Sequence, residues 1–287
     1  MITSKLEVLV DFGPKPDKKA VNRTLNELTS QDGVQQAVFK DGAIMVETTL
    51  PNQLVLDIVA KSSGRRAVLQ GFGETQSAVA MVSSQGSFGS AMGIIRFQQV
   101  GNGALIADGS VDALPPGNHG LHVRSDGDLS EGCKSIGSHY NPDNSPHGGP
   151  GDAREARHAG DLGNITADEN GRATFRIVDN VLKISDIIGR AVAITERPDD
   201  FGRGSSANST IDGDSGPPIA CGIIARSAGI FQNPKRICQC DGVVVWDERD
   251  RPLAGKGRRD GGCCGDKRDG SPGVKNGDVP KKPCCKV

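Results

Sequence analysis

Aromatic residues are scarce: they make up 3% of the 287 residues, with one Trp and one Tyr. That excludes a core built on bulky rings and leaves small aliphatics to fill the interior. No long apolar run occurs, and charges recur from Lys5 and Glu7 onward, too early for a secretion signal. A cytoplasmic chain with no stable membrane insertion is expected. A net charge of -1 gives no general basic face, so no nucleic acid is expected as partner. In abundance instead are 39 Gly and 16 Pro, which favour many turns over long helices and point to β structure. Eight cysteines in a cytosolic chain suggest metal or redox chemistry rather than a disulfide scaffold.

Three regions differ in pattern. Residues 1–74 read as a small α/β unit. Leu6, Val8 and Val10 alternate as on a strand, and Val21, Leu25 and Leu28 recur at helical spacing. Val34–Phe39 and Ala43–Glu47 flank the hairpin signal Asp41-Gly42. Pro51 opens a second helix carrying Leu54 and Ile58, and Arg66–Leu69 forms a last strand. The order βαββαβ is ferredoxin-like. Residues 76–229 hold short apolar stretches (Ala78–Val82, Gly93–Phe97, Ala173–Val178, Ala191–Thr195, Ile219–Ala225) between Gly, Asn and Asp, the mark of a sandwich or barrel. Residues 230–287 lack apolar periodicity and read as a flexible tail.

The polar stretch from about 125 to 160 is long for a loop inside a compact domain, and its histidines favour a functional role. His139, His147, His158 and Asp161 cluster there. Three imidazoles and a carboxylate suit zinc in a tetrahedral shell. Four protein ligands leave no open position, so such a site is structural and would pin the loop to the barrel.

The words around these residues carry a resemblance. Gly132-Cys133-Lys134-Ser135-Ile136-Gly137-Ser138-His139, His147-Gly148-Gly149-Pro150, Arg157-His158-Ala159-Gly160-Asp161, Asp199-Asp200-Phe201-Gly202 and Ala220-Cys221-Gly222 resemble the Cu/Zn superoxide dismutases over roughly residues 78–226. The resemblance implies an eight-stranded Greek-key barrel, zinc on His139, His147, His158 and Asp161, and a disulfide between Cys133 and Cys221. It implies that Asp199 links the copper and zinc ligand sets, and that His119 braces the backbone. A dismutase copper site needs four imidazoles, and only two of its positions are filled here, by His122 and His139. Arg124 and Thr195 stand at the other two, and Pro218 replaces the arginine that guides superoxide. A permanent cation at 124 and a hydroxyl at 195 are poor company for copper, so negligible dismutase activity is expected.

Past the barrel, Cys238-Gln239-Cys240 offers two thiolates to one Cu(I) ion, or an attacking and a resolving thiol for disulfide exchange. With Arg236-Ile237 before it and Trp246-Asp247-Glu248-Arg249 after it, the segment resembles the third domain of the superoxide dismutase copper chaperones. Cys263, Cys264, Cys284 and Cys285 either extend a Cu(I) thiolate cluster or are adventitious thiols. That family carries Met-x-Cys-x-x-Cys in its first loop. Here Pro14 and Asp17 replace both cysteines, so this loop is not expected to bind copper.

The resemblance implies a metallochaperone, not an enzyme. It would dock on immature Cu/Zn superoxide dismutase, deliver Cu(I) and promote the target's disulfide. The face by which dismutase subunits pair would serve a heterodimer, and equally a homodimer. The competing reading is a divergent dismutase with residual activity, and a third is copper storage by the tail.

Overall fold

The structure, a computed structural model, describes residues 2–12, 16–73, 76–84, 90–101, 103–227 and 229. Its first six elements are β1 (Ser4–Val10), α1 (Lys18–Thr29), β2 (Val34–Lys40), β3 (Ala43–Thr48), α2 (Asn52–Ser63) and β4 (Ala67–Phe72). They form an antiparallel sheet in the order β2-β3-β1-β4 with the βαββαβ connectivity. Asp41 and Gly42 both have positive φ, 53° and 86°, as a two-residue hairpin loop requires. Asp17 caps α1, its carboxylate accepting the Lys19 N–H at 3.0 Å.

The helix α2 carries Leu54 and Ile58 as expected, but its buried face is centred on other residues. Leu54 is exposed and Ile58 only half-buried, whereas Val55, Leu56 and Val59 are buried. The buried stripe lies one residue further along the helix, a rotation of about 100°. The two valines are what meet Leu6, Val8 and Ile44 of the sheet in one cluster.

The remaining strands are β5 (Gln76–Ser83), β6 (Met92–Gln99), β7 (Leu105–Asp112), β8 (Gly117–Val123), β9 (Asp161–Ala167), β10 (Ala173–Asp179), β11 (Ala191–Thr195) and β12 (Pro218–Ser227). They close a barrel in the order β10-β7-β6-β5-β12-β11-β8-β9. The connections β7 to β8 and β10 to β11 join strands that are not neighbours, which is Greek-key topology. Closure leaves no edge strand exposed. The interior is aliphatic, with Ala80, Ile95, Leu105, Leu121, Leu162, Val192, Ile194 and Ile224 buried around Phe97. The five apolar stretches read from the sequence are β5, β6, β10, β11 and β12. The other three strands are interrupted by Gly, Asn and Asp, which hide their alternation.

Two short helices, α3 (Ile184–Ile187) and α4 (Ser209–Asp212), sit in the connections. The β8–β9 connection spans residues 124–160 and holds single 3-10 turns at Gly132–Lys134 and Arg154–Ala156. The β11–β12 connection spans 196–217 and folds over the same end of the barrel. Among the described residues no helix is long and apolar enough to cross a membrane.

Candidate metal centre

The barrel ends position the site. Asp161 opens β9, opposite His122 near the end of β8. His139 bridges back to Arg124 just past β8, while His147 and His158 lie further along the same connection. One donor atom from each of His139, His147, His158 and Asp161 falls within 4.8 Å of all the others, and all four residues are buried. The Asp161 carboxylate is the hub. It lies 2.8 Å from His139 Nδ1, 3.0 Å from His147 Nδ1 and 3.4 Å from His158 Nδ1.

His147 Nδ1 and His158 Nδ1 are buried yet make no hydrogen bond. Two orphaned imidazole nitrogens beside an ionised carboxylate are what a cation's donor set requires, and are costly otherwise. Burial disfavours charge on His147, but its contacts with Asp161 and Asp199 outweigh that and lift its pKa to about 9. Asp161 is held well below the usual carboxylate range: burial opposes this, and the three histidines overcome it. An electrostatic trap that holds a proton this firmly equally favours a metal cation.

The surroundings fix these donors. His158 N–H and Gly148 N–H donate to Asp161 Oδ2 at 2.9 and 3.3 Å. Behind them lies Arg157, 1% exposed. It donates to the carbonyls of Pro150, His158, Ala159 and Asp161 at 2.6–3.3 Å, and pairs with Asp179 of β10 at 2.7 Å. Arg157 stands in one of the motif words, but only burial distinguishes its role from that of a surface arginine.

Asp199 connects two halves of the site. Its Oδ1 lies 2.8 Å from His147 Nε2 and its Oδ2 3.0 Å from His122 Nε2. Asn164 holds the Asp199 backbone from both sides, at 2.7 and 2.8 Å. Gly213 makes the contact feasible. A Cβ there would sit 1.9 Å from Asp199 Oδ1, and its φ of +68° already favours glycine.

On the far side of His139 the arrangement differs. The His122 and His139 rings stack with centroids 3.9 Å apart, and His122 Nδ1 and His139 Nε2 are buried without partners. Burial, then the neighbouring His122, drives the His139 pKa down to about 3. Arg124 adds its charge to both rings, and its guanidinium donates twice to the Gly137 carbonyl, at 2.7 and 3.0 Å. The Thr195 hydroxyl faces the carbonyls of Gly120 and Arg197 at 3.2 and 3.1 Å, and Pro218 pairs with Thr195 across the β11–β12 ladder. His119 spans two carbonyls, Thr195 O at 2.9 Å and Pro115 O at 2.7 Å. A disulfide joins Cys133 in the loop to Cys221 on β12. Pro14, Cys238, Cys240, Cys263, Cys264, Cys284 and Cys285 lie outside the described residues.

Comparison with known proteins places this arrangement. The copper chaperone for superoxide dismutase of Mus musculus is 47% identical over 89% of this chain and 92% of its own length. The Homo sapiens protein of the same name is also 47% identical, over the same shares. The chain belongs to the copper chaperones for superoxide dismutase. The family model for copper/zinc superoxide dismutase matches residues 91–224 of this family member. Among solved structures, the clock protein EA4 is 41% identical, covering 52% of this chain and 94% of its own, with a TM-score of 0.49. The chaperone's relatives thus share more than the barrel, because the likeness runs well past the 91–224 match.

Proposed function

We propose that this chaperone docks on immature Cu/Zn superoxide dismutase in the cytoplasm, delivers Cu(I) through Cys238 and Cys240, and promotes the target's disulfide. The observation that carries this reading is the asymmetry about His139: a complete donor set on its Nδ1 side, and two imidazoles beside Arg124 on its Nε2 side.

His139, His147, His158 and Asp161 would hold zinc, whose chemistry suits three imidazole nitrogens and one carboxylate. Zinc would neutralise the Asp161 charge and satisfy the orphaned nitrogens. Its role is structural, joining the 124–160 connection to β9. The disulfide between Cys133 and Cys221 closes the same connection onto β12. Asp199 orients His147 and, through His122, what remains of the copper side. Together these keep the docking barrel in shape without making it a dismutase.

Copper transfer falls to the tail. Cu(I) bound by the two thiolates moves to the target's imidazoles by ligand exchange. After copper leaves, an external disulfide oxidises the Cys238–Cys240 pair to a disulfide. One target thiolate attacks it, breaking that S–S bond, releasing one tail thiol and forming a mixed disulfide, and a second target thiolate displaces the tail sulfur. The target gains an S–S bond, the tail pair returns to two thiols, and the net two electrons and two protons have gone to the external disulfide. The dismutase pairing face of the barrel serves the heterodimer, and in the target's absence a homodimer.

The test is co-expression with apo-dismutase. Wild type is expected to activate the target, and the Cys238→Ser/Cys240→Ser double variant to leave it inactive. Equal activation by both sinks the transfer mechanism. A dismutase assay on the copper-loaded chaperone separates the competing reading, since turnover at the level of a dismutase would make the chain an enzyme.

A further inference from the structure

The helix α2 begins without a cap of its own. Pro51 precedes it and has no side-chain acceptor, so the first amide must look elsewhere. It finds Asp108 on β7 of the barrel. The Asn52 N–H donates to the Asp108 carboxylate at 3.0 and 3.3 Å, from 56 residues away. A carboxylate at a helix N-terminus also meets the positive end of the helix dipole.

Asp108 does not act alone. In the ladder register it lies directly opposite Arg176 on β10 and Arg96 on β6, so three charged residues form one row across adjacent strands. Each reaches the N-terminal sheet-and-helix unit. Arg176 donates to Ser4 Oγ at 3.0 Å and to the carbonyls of Ile2 and Thr48 at 3.4 and 3.5 Å, with Asp108 Oδ2 3.7 Å away. Arg96 lies 6.0 Å over the Phe72 ring of β4. Asp108 and the Arg176 side chain are both under 10% exposed. Charged residues on the outer wall of a barrel normally stay in water. Here Asp108 and Arg176 are buried against a second unit and matched to its backbone. A pair buried this way ties its partners into one arrangement, because breaking it strands a charge.

We infer that the N-terminal unit is a fixed buttress of the barrel, locked by the Arg96–Asp108–Arg176 row, and not a mobile copper carrier. This gives it a function that needs no metal-binding cysteines: it completes the outer wall over β6, β7 and β10 and sets the orientation of everything attached to it. The inference stands apart from the copper-transfer reading, since it uses none of the tail.

The experiment uses the full chain. Rotational correlation times from amide relaxation are measured for the N-terminal unit and the barrel, together with the rate of limited proteolysis between residues 73 and 77. Wild type is expected to tumble as one body and resist cleavage. Asp108→Ala removes the acceptor and is expected to separate the two correlation times and speed cleavage about tenfold or more. Asp108→Asn keeps an oxygen for the Asn52 N–H but strands the Arg176 charge, and is expected to loosen the unit less than Asp108→Ala but measurably beyond wild type. Should Asp108→Ala not fold, Arg176→Leu keeps the aliphatic packing, removes the donors, and is expected to loosen the unit likewise. Two correlation times in wild type, or wild-type cleavage in both Asp108→Ala and Arg176→Leu, would overturn the proposal. So would an Asp108→Asn variant as tight as wild type.

Discussion

The two sides of the His139 ring lie a few ångströms apart and have different fates. On the Nδ1 side the Asp161 carboxylate gathers three imidazoles, and Arg157 holds the carbonyls of His158 and Asp161. On the Nε2 side His122 stacks on His139, but Arg124 and Thr195 are turned onto carbonyl oxygens. On the proposed reading, the difference teaches that two side chains suffice to disable one metal position while a whole framework supports its neighbour. Asp199 belongs to both sides, yet its contact with His147 serves the kept side.

The comparison breaks first at Asp161. Asp161→Asn removes the charge around which three imidazoles gather, and zinc affinity is expected to fall more than about a hundredfold. Competition against a chromophoric chelator measures it. Unchanged affinity would mean that the four residues do not hold the ion.

The opposite operation sharpens it. Arg124→His with Thr195→His restores four imidazoles around the second position, and Cu(II) affinity is expected to rise by about two orders of magnitude over wild type. Titration followed by visible absorption reads the change. A flat response would show that the defect lies deeper than the two side chains.

Much of this was legible before the fold was known. His139, His147, His158, Asp161 and Asp199 stand in contiguous words whose residue types announce their chemistry, and the structure brings them together. The role of Arg157 was not legible although the residue stands beside His158 in the same word. Its role depends on the carbonyls of four residues and on Asp179, which meet only when β10 passes behind the loop. The Arg96–Asp108–Arg176 row escaped for a similar reason, since strand register alone aligns residues that far apart. In α2 the helix was legible, but which face it buries was not. Leu54 and Ile58 fit a helical stripe as well as Val55 and Val59 do, and only the position of the sheet decides between them.

Arg157 yields a smaller effect than the donors themselves. Arg157→Met fits the volume and removes the bonds that hold the loop carbonyls, so zinc affinity is expected to drop about ten- to a hundredfold. Asp179→Asn should share part of that loss, because the two side chains pair. If thermal stability falls in the zinc-free variant but zinc affinity does not, Arg157 supports the barrel and not the donors.

The gentlest test is pH, and it separates the sides by their protons. In the metal-free chain the His147 pKa is raised to about 9, so the stability it contributes is fully present below its unfolded value of 6.5 and is lost as pH rises through 9. His139 is lowered to about 3, so it stays neutral and costs stability only as pH falls below 6.5. Zinc must displace the proton from His147 but finds none on His139. Binding near neutral pH should therefore release about one proton, and zinc affinity should climb up to about tenfold per pH unit between roughly 6.5 and 9. Asp199→Asn weakens the pull on His147, so the climb should flatten in that variant at the high-pH end. Calorimetry in buffers of different ionisation enthalpy counts the proton directly. No proton released at pH 7.5 would place the charge elsewhere in the cluster and remove the electrostatic distinction between the two sides of His139.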